Sequence, residues 1–242
     1  MTMKIKKALL EKGLTNKPLK NVKGLVIHWV ANPNTSAMAN RNYWERRGDG
    51  VGAHYIIDLD GTVYQCVPDD MMAYQVGSPK GYTKEALARL SSYPNDCVIG
   101  IECTHIDDKG KMTDETYKSL VELSAHLLKK YKLTEKDLWL HSEIVGKEYK
   151  DCHRWFTTTK PEDWVKFKKE VGSLLKQTKT TKTTKTKATK TCTSLVDYLK
   201  DHNMPSDFTS RAKLARKYGI NNYGGSAEQN IKLLKLLQEE RR

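Results

Sequence analysis

The sequence predicts a layered α/β domain followed by a small all-helical module. Short apolar runs rich in Val and Ile have the length of strands, and two longer segments repeat apolar residues at helical spacing. A Lys/Thr-rich segment then precedes three further helical patterns. Strands interspersed with helices favour an α/β fold. We therefore expect a first domain at residues 1–175, a linker at residues 176–193 and a helical module at residues 194–242.

Three strand-forming segments, one of them a hairpin, are predicted in the first half of the chain. The run KGLVIHWV is a buried strand with His28 near its carboxyl end. The run HYIIDLDGTVYQCV is a hairpin that turns at Asp60-Gly61, since Asp-Gly supplies the positive backbone angles of a tight turn. In the third strand, DCVIGIECTH, side chains alternate between the two faces and Glu102 interrupts an otherwise apolar face. Glu102 is therefore a candidate functional residue.

Two helices complete the first domain. Apolar residues recur at helical spacing from Thr113 to Tyr131, and DLWLH follows as a short strand that ends at His141. Pro161 lies in the first turn of a second helix, a position that proline favours. In the C-terminal module, three amphipathic patterns predict three short helices. A unit of about 49 residues is near the lower limit for independent folding, so marginal stability or self-association is expected.

Composition excludes several classes of protein. The 242 residues have a mean hydropathy of −0.67, and no apolar run approaches the roughly 20 residues of a membrane span. The N-terminal segment has basic residues but no apolar stretch after them, so we expect no secretory signal and synthesis in the cytoplasm. Five cysteines, an odd number, argue against a disulfide framework and leave thiols for packing or for metal ligation.

The positive charge is concentrated in the C-terminal third. The whole chain has a net charge of +13, and from Lys176 onward 15 Lys/Arg face 6 Asp/Glu. Residues 176–193 contain six lysines, no acid and no aliphatic residue larger than Ala, so they cannot bury enough surface to fold and are expected to stay extended. Such an excess indicates a polyanionic partner: nucleic acid, an anionic membrane surface or an anionic cell-wall polymer.

Three residues are candidate metal ligands. His28 and His141 lie at the ends of predicted strands, and Cys152 lies in the loop after the second of these. Imidazole and thiolate both suit zinc, and three protein ligands leave a fourth position for water. Each residue taken singly is better explained by packing or solvation. The order of the surrounding motifs changes that balance.

Four motifs occur in a characteristic order: LVIHWVANPNTSA, VGAHYIIDLDGTVYQCVPDD, VIGIECTH and LHSEIVGKEYKDCHRW. With them, residues 20–175 resemble the N-acetylmuramoyl-L-alanine amidases, a family that includes amidase-type phage lysozymes and peptidoglycan-recognition proteins. The resemblance implies a mixed central sheet flanked by helices. It also implies hydrolysis of the amide between N-acetylmuramic acid and the L-Ala of the peptidoglycan stem peptide.

The resemblance assigns roles residue by residue. His28, His141 and Cys152 match the zinc ligands of the family, and Glu102 and Lys150 match its catalytic residues. Zinc would lower the pKa of a water towards about 7. Glu102 could pass the water's proton to the leaving amine, and Lys150 could stabilise the oxyanion.

Substrate-binding residues follow from the same resemblance. Family members line the glycan-peptide groove with residues at four positions, which in this chain are Trp29, Asn32, His54 and Tyr74. On the residues alone, core packing or a loop surface explains these side chains equally well. The segment Gln75-Val76-Gly77 falls in the same region.

Two departures from the family pattern affect the expected chemistry. Ala53 occupies a position at which many catalytic members have Tyr, so the acid/base role falls on Glu102 with Lys150. His153 directly follows Cys152 and is a rival third ligand.

The C-terminal strings resemble, less specifically, the wall-binding modules of phage endolysins. This implies peptidoglycan as substrate and an anionic wall polymer as partner of the module, with no nucleic acid bound. The enzyme would be made in the host cytoplasm and act on the wall after release. One alternative is a non-catalytic peptidoglycan-binding protein of the same fold. Another is a nucleic-acid-binding tail on an unrelated enzyme, which the ordered metal motifs disfavour.

Overall fold

The computed structural model describes residues 5–180, 194–202 and 204–239. The chain divides into two compact units, Met1–Thr183 and Thr184–Arg242. The last helix of the first unit continues to Thr180, five residues into the predicted linker. The rest of that linker, residues 181–193, lies outside the described residues.

A six-stranded mixed sheet forms the centre of the first unit. Its strands are β1 (Ile5–Lys7), β2 (Gly24–Trp29), β3 (Tyr55–Ile57), β4 (Val63–Gln65), β5 (Val98–Cys103) and β6 (Leu138–Leu140). They lie in the order β1-β4-β3-β5-β2-β6. Strands β3 and β4 pair antiparallel, and the other neighbouring pairs of this sheet are parallel.

Helices cover both faces of this sheet. They are α1 (Ala37–Arg47), α2 (Lys84–Arg89), α3 (Asp114–Lys130), α4 (His141–Val145) and α5 (Pro161–Thr180). On one face, Ile27 and Ile101 share a core with α3 and α5. On the other face, Val26 packs with residues of α2 and α4. The predicted α/β class, a mixed sheet flanked by helices, is confirmed.

The central position of β2 in the sheet explains why the run before His28 is continuously apolar. It lies between β5 and β6, and Leu25, Val26 and Ile27 are completely buried. A parallel strand with helices on both faces is buried on both, so its apolar residues run continuously rather than alternating. The predicted hairpin is also present, and Gly61 adopts a φ of 78° in its turn.

Helix α1 is an element that the sequence analysis did not predict. Ser36 caps its N-terminus by accepting a hydrogen bond from the Ala39 amide, and Gly48 ends it with a φ of 64°. The helix buries Ala37 and Trp44 and has no continuous apolar stripe. Strand β1 and helices α2 and α4 were likewise not predicted.

The second unit is helical, as expected. It contains α6 (Leu195–Asp201), α7 (Phe208–Lys217) and α8 (Ala227–Glu239). Leu199, Ala215 and Leu233, one from each helix, are completely buried in their common core. Within the described residues, no helix is both long enough and apolar enough to span a bilayer.

Candidate metal centre and active site

The sheet brings three candidate residues to one edge. Strands β2 and β5 are parallel, and their register places His28 directly opposite Glu102. Strand β6 also runs parallel to β2 and ends at Leu140. His141, predicted to be the last residue of this strand, is instead the first residue of helix α4, one position beyond the observed strand end. Carboxyl ends of neighbouring parallel strands therefore gather His28, Glu102 and His141.

Cys152 completes a group of three potential ligands. It lies in the loop between α4 and a helical turn at Trp155–Thr159, and its carbonyl accepts a hydrogen bond of 2.9 Å from the Ser142 amide in the first turn of α4. The potential ligand atoms of His28, His141 and Cys152 all lie within 4.8 Å of one another. Cys152 Sγ is 3.7 Å from His28 Nδ1.

The protonation states of these side chains suit metal binding. Burial lowers the pKa of His141 to about 3 and that of His28 well below its usual range, so both imidazoles are neutral near pH 7. Burial raises the pKa of the Cys152 thiol, which therefore needs a nearby cation to become a thiolate. Two neutral imidazoles and a thiol at this separation meet the requirements of a metal that prefers nitrogen and sulfur ligands.

Glu102 has the properties of an acid/base residue. Its Oε2 is buried and has no hydrogen-bond partner. Burial raises the pKa of its carboxyl to about 8, against the opposing effect of the Lys150 charge. A pKa close to the working pH is the condition for efficient proton transfer. Lys150 itself is exposed, and its charge also lowers the pKa of His28 and His141.

A cavity of about 460 Å³ adjoins Glu102. Asn32, one of the predicted groove residues, lines it. Helix α1 contributes a wall with polar side chains that the sequence analysis did not identify, namely Asn40, Tyr43 and Arg46. The capping residues Ser36 and Gly48 were the available signal for this helix, since such residues mark helix ends even where no apolar stripe is present.

The other predicted groove residues have different surroundings. Trp29 is half-buried. The centroid of its ring lies 4.7 Å from the centroid of the His105 ring and 5.1 Å from the Arg154 guanidinium. Tyr74 is half-buried, and Lys17 Nζ lies 5.4 Å from the centroid of its ring.

His54 is completely buried in the sheet. Its Nδ1 accepts a hydrogen bond of 3.1 Å from the Gly100 amide, and its Nε2 lies 2.9 Å from the Met71 carbonyl oxygen, to which it can donate. Both ring nitrogens therefore contact backbone groups. Burial lowers the pKa of His54 to about 4, so the ring is neutral.

His153, the rival third ligand, faces an aromatic cluster. Its ring centroid is 5.0 Å from that of Phe156, and its Nδ1 accepts a hydrogen bond of 3.3 Å from the Trp155 amide. Among the described residues, Cys152 rather than His153 joins His28 and His141 in a ligand group.

Comparison with known proteins identifies the family. A family model described as N-acetylmuramoyl-L-alanine amidase matches residues 18–155, more than half of the chain. A probable N-acetylmuramoyl-L-alanine amidase of Bacillus licheniformis is 29% identical over 167 residues, which cover 64% of this chain and 42% of that protein. N-acetylmuramoyl-L-alanine amidase CwlL of the same organism is 26% identical over 239 residues, covering 92% of this chain and 62% of CwlL.

The fold has solved counterparts. The structure of PlyL superposes with a TM-score of 0.56 at 20% identity, covering 70% of this chain and 97% of PlyL. The chain spans 42% and 62% of the lengths of the two Bacillus relatives. With the family match extending over both the strand that carries His28 and the loop that carries Cys152, the chain belongs to the N-acetylmuramoyl-L-alanine amidase family.

Proposed function

We propose that the protein is a zinc-dependent endolysin that hydrolyses the amide between N-acetylmuramic acid and L-alanine in peptidoglycan. The observation that carries the proposal is the convergence of His28, His141 and Cys152 within 4.8 Å, with Glu102 opposite His28 on the neighbouring strand. Family membership supports the choice of bond.

In this proposal the chain divides the reaction among few groups. His28, His141 and Cys152 would hold zinc, which when bound would supply a water with a pKa near 7 and would polarise the scissile carbonyl. Glu102 would take the proton that the attacking water loses and deliver it to the leaving nitrogen of L-alanine. The Lys150 ammonium donates a hydrogen bond to the carbonyl oxygen as negative charge develops there.

The cavity beside Glu102 is the proposed substrate groove. Asn32 lines it from the loop after β2, and Asn40, Tyr43 and Arg46 line it from α1. Amide, hydroxyl and guanidinium groups can pair with the sugar and peptide groups of the substrate. Groove roles for Trp29, His54 and Tyr74 stay predictions.

Hydrolysis of purified cell walls with and without a chelator tests the proposed reaction. We expect turbidity to fall and new L-Ala amino termini to appear, one for each amide bond that is hydrolysed. A chelator should abolish both changes, and added Zn²⁺ should restore them. Wall binding without any release of amino termini, in either condition, would instead support the non-catalytic peptidoglycan-binding alternative.

We propose that the second unit, with the lysine-rich residues 176–193 that precede its first helix, attaches the enzyme to the wall. Phe208 is 52% exposed at the start of α7, and its ring centroid is 5.9 Å from that of Tyr223. The Arg211 guanidinium lies 5.9 Å from the Phe208 ring. An exposed aromatic ring with polar groups beside it can offer apolar contact area and hydrogen bonds to a bound polymer. The six lysines of residues 176–193 would add attraction to an anionic wall polymer.

Deletion of residues 184–242 should separate attachment from catalysis. We expect adsorption to cell walls to fall at least about 10-fold, since tethering can raise apparent affinity by about 10² to 10⁴. Hydrolysis of a small soluble muramoyl peptide should change less than about twofold, because the first unit has its own core. Phe208→Ser in the full chain should also reduce adsorption to cell walls. Undiminished adsorption of the truncated protein would contradict wall attachment through this unit.

Synthesis in the host cytoplasm and release to the wall at lysis complete the proposal. Self-association through the second unit stays a prediction.

A further inference from the structure

The side chain of Gln75 lies across strand β5 at Gly100. A Cβ atom added at Gly100 would come within 1.6 Å of Gln75 Oε1, so a glycine is needed there to make room for the amide. The register of β2 and β5 places Gly100 opposite Val26 and Glu102 opposite His28. Side chains two residues apart share a face of a sheet. The Gln75 amide therefore lies on the face that carries His28 and Glu102.

One hydrogen bond holds the side-chain amide of Gln75, and two more fix the backbone that carries it. Gln75 Nε2 donates to the Val98 carbonyl oxygen at 3.1 Å. The Gln75 backbone amide donates to Asn95 Oδ1 at 3.0 Å, and the same oxygen accepts from the Val76 amide at 2.9 Å. Asn95 is buried. Because the Nε2 end is bound to Val98, the Oε1 end must point the other way.

Gln75 Oε1 and His28 Nε2 are complementary. Both atoms are buried, and neither makes a hydrogen bond of normal geometry in the structure. On the other side of the ring, His28 Nδ1 faces Cys152 Sγ at 3.7 Å. A buried acceptor without a donor, above Gly100 of β5, thus lies on the same face of the sheet as a buried donor without an acceptor, on the neighbouring strand β2.

We propose that Gln75 is the positioning residue of His28: its Oε1 accepts the Nε2–H, so that the Nδ1 lone pair points to the metal. The inference rests on the proposed zinc site. In metal sites, a hydrogen bond to the second ring nitrogen fixes the tautomer and the orientation of a ligating histidine. It gives Gln75 a role in metal affinity rather than in contact with substrate.

The test measures zinc affinity in the full chain by competition with a chromophoric chelator. Gln75→Met keeps the length of the side chain and removes the acceptor. Gly100→Ala keeps the amide and displaces Oε1. We expect both to weaken zinc binding by about 10- to 100-fold. Gln75→Glu retains an acceptor, and in its protonated form also the donor to Val98, and should restore most of the affinity.

Gln65→Met is the matched control. Gln65 is half-buried on β4, and its Nε2 donates to Asp69 Oδ1 at 3.0 Å. The substitution is the same and also removes a hydrogen bond, so zinc affinity should stay within about twofold of wild type. The inference is overturned by unchanged zinc affinity in both Gln75→Met and Gly100→Ala, or by equal weakening in the control. A wild-type protein that binds no zinc would overturn the proposed function instead.

Discussion

Replacing Cys152 with alanine is expected to abolish zinc binding and amide hydrolysis together. The thiol is one of three donors in the group, and its removal leaves two imidazoles. Removal of a residue that only hydrogen-bonds to a ligand lowers metal affinity by up to roughly 100-fold. Loss of the ligand itself should lower zinc affinity by more. Inductively coupled plasma mass spectrometry of the purified variant and release of L-Ala amino termini give the two measurements.

Cys66→Ala controls for the loss of a buried cysteine. Cys66 is completely buried in a separate cluster with Trp44 and Ile56, so the change should lower stability without changing zinc content. His153→Ala resolves the rival ligand, and we expect it to keep one zinc per chain. Full zinc occupancy in Cys152→Ala combined with zinc loss in His153→Ala would reverse the assignment.

Glu102→Gln is expected to reduce kcat by about 10² to 10⁴, the usual contribution of a positioned acid/base group. Amide and carboxylate have nearly the same shape, so zinc content should be retained. Exposed Glu122 on α3 offers the matched control, and Glu122→Gln should leave kcat unchanged. Activity within threefold of wild type in Glu102→Gln would remove the residue from the mechanism.

The same variant has a second expected signature in metal-free protein. Burial raises the pKa of Glu102 to about 8 in the folded state, against about 4.3 for an unfolded chain. Between these values the folded state binds more protons, so the stability of wild type falls as pH rises from about 4 to about 8. The Glu102→Gln variant has no carboxyl at this position, so its stability does not fall with pH for this reason. Urea denaturation should find it more stable than wild type by up to roughly 5 kcal/mol at pH 8.5, and the difference should be small at pH 4.

Elements with a strong local signal could be predicted from the sequence. The apolar run of β2 has strand length, and the Asp60-Gly61 pair dictates a tight turn between β3 and β4. Helices α3 and α5 have regular apolar stripes. These features depend on neighbours in the chain, and a single sequence contains them.

Features that depend on distant contacts could not be predicted. Helix α1 has no apolar stripe, and Arg41 Nε on this helix donates to the Ala8 carbonyl at 3.0 Å, a contact 33 residues away. The Gln75 amide occupies the space above Gly100, and the Gly100 amide in turn donates to His54. A motif shows that these residues are present, but only tertiary structure shows which atoms face each other.

The register between β2 and β5 fixes the distance between His28 and Glu102. Neighbouring strands are held about 4.8 Å apart by backbone hydrogen bonds, so the spacing between His28 and Glu102 is set by the sheet rather than by loops. Cys152 and Lys150 instead lie on a connection between helical segments, which tolerates changes in length. Changes in this connection can therefore move the proposed third ligand and the proposed oxyanion donor without altering the distance between His28 and Glu102.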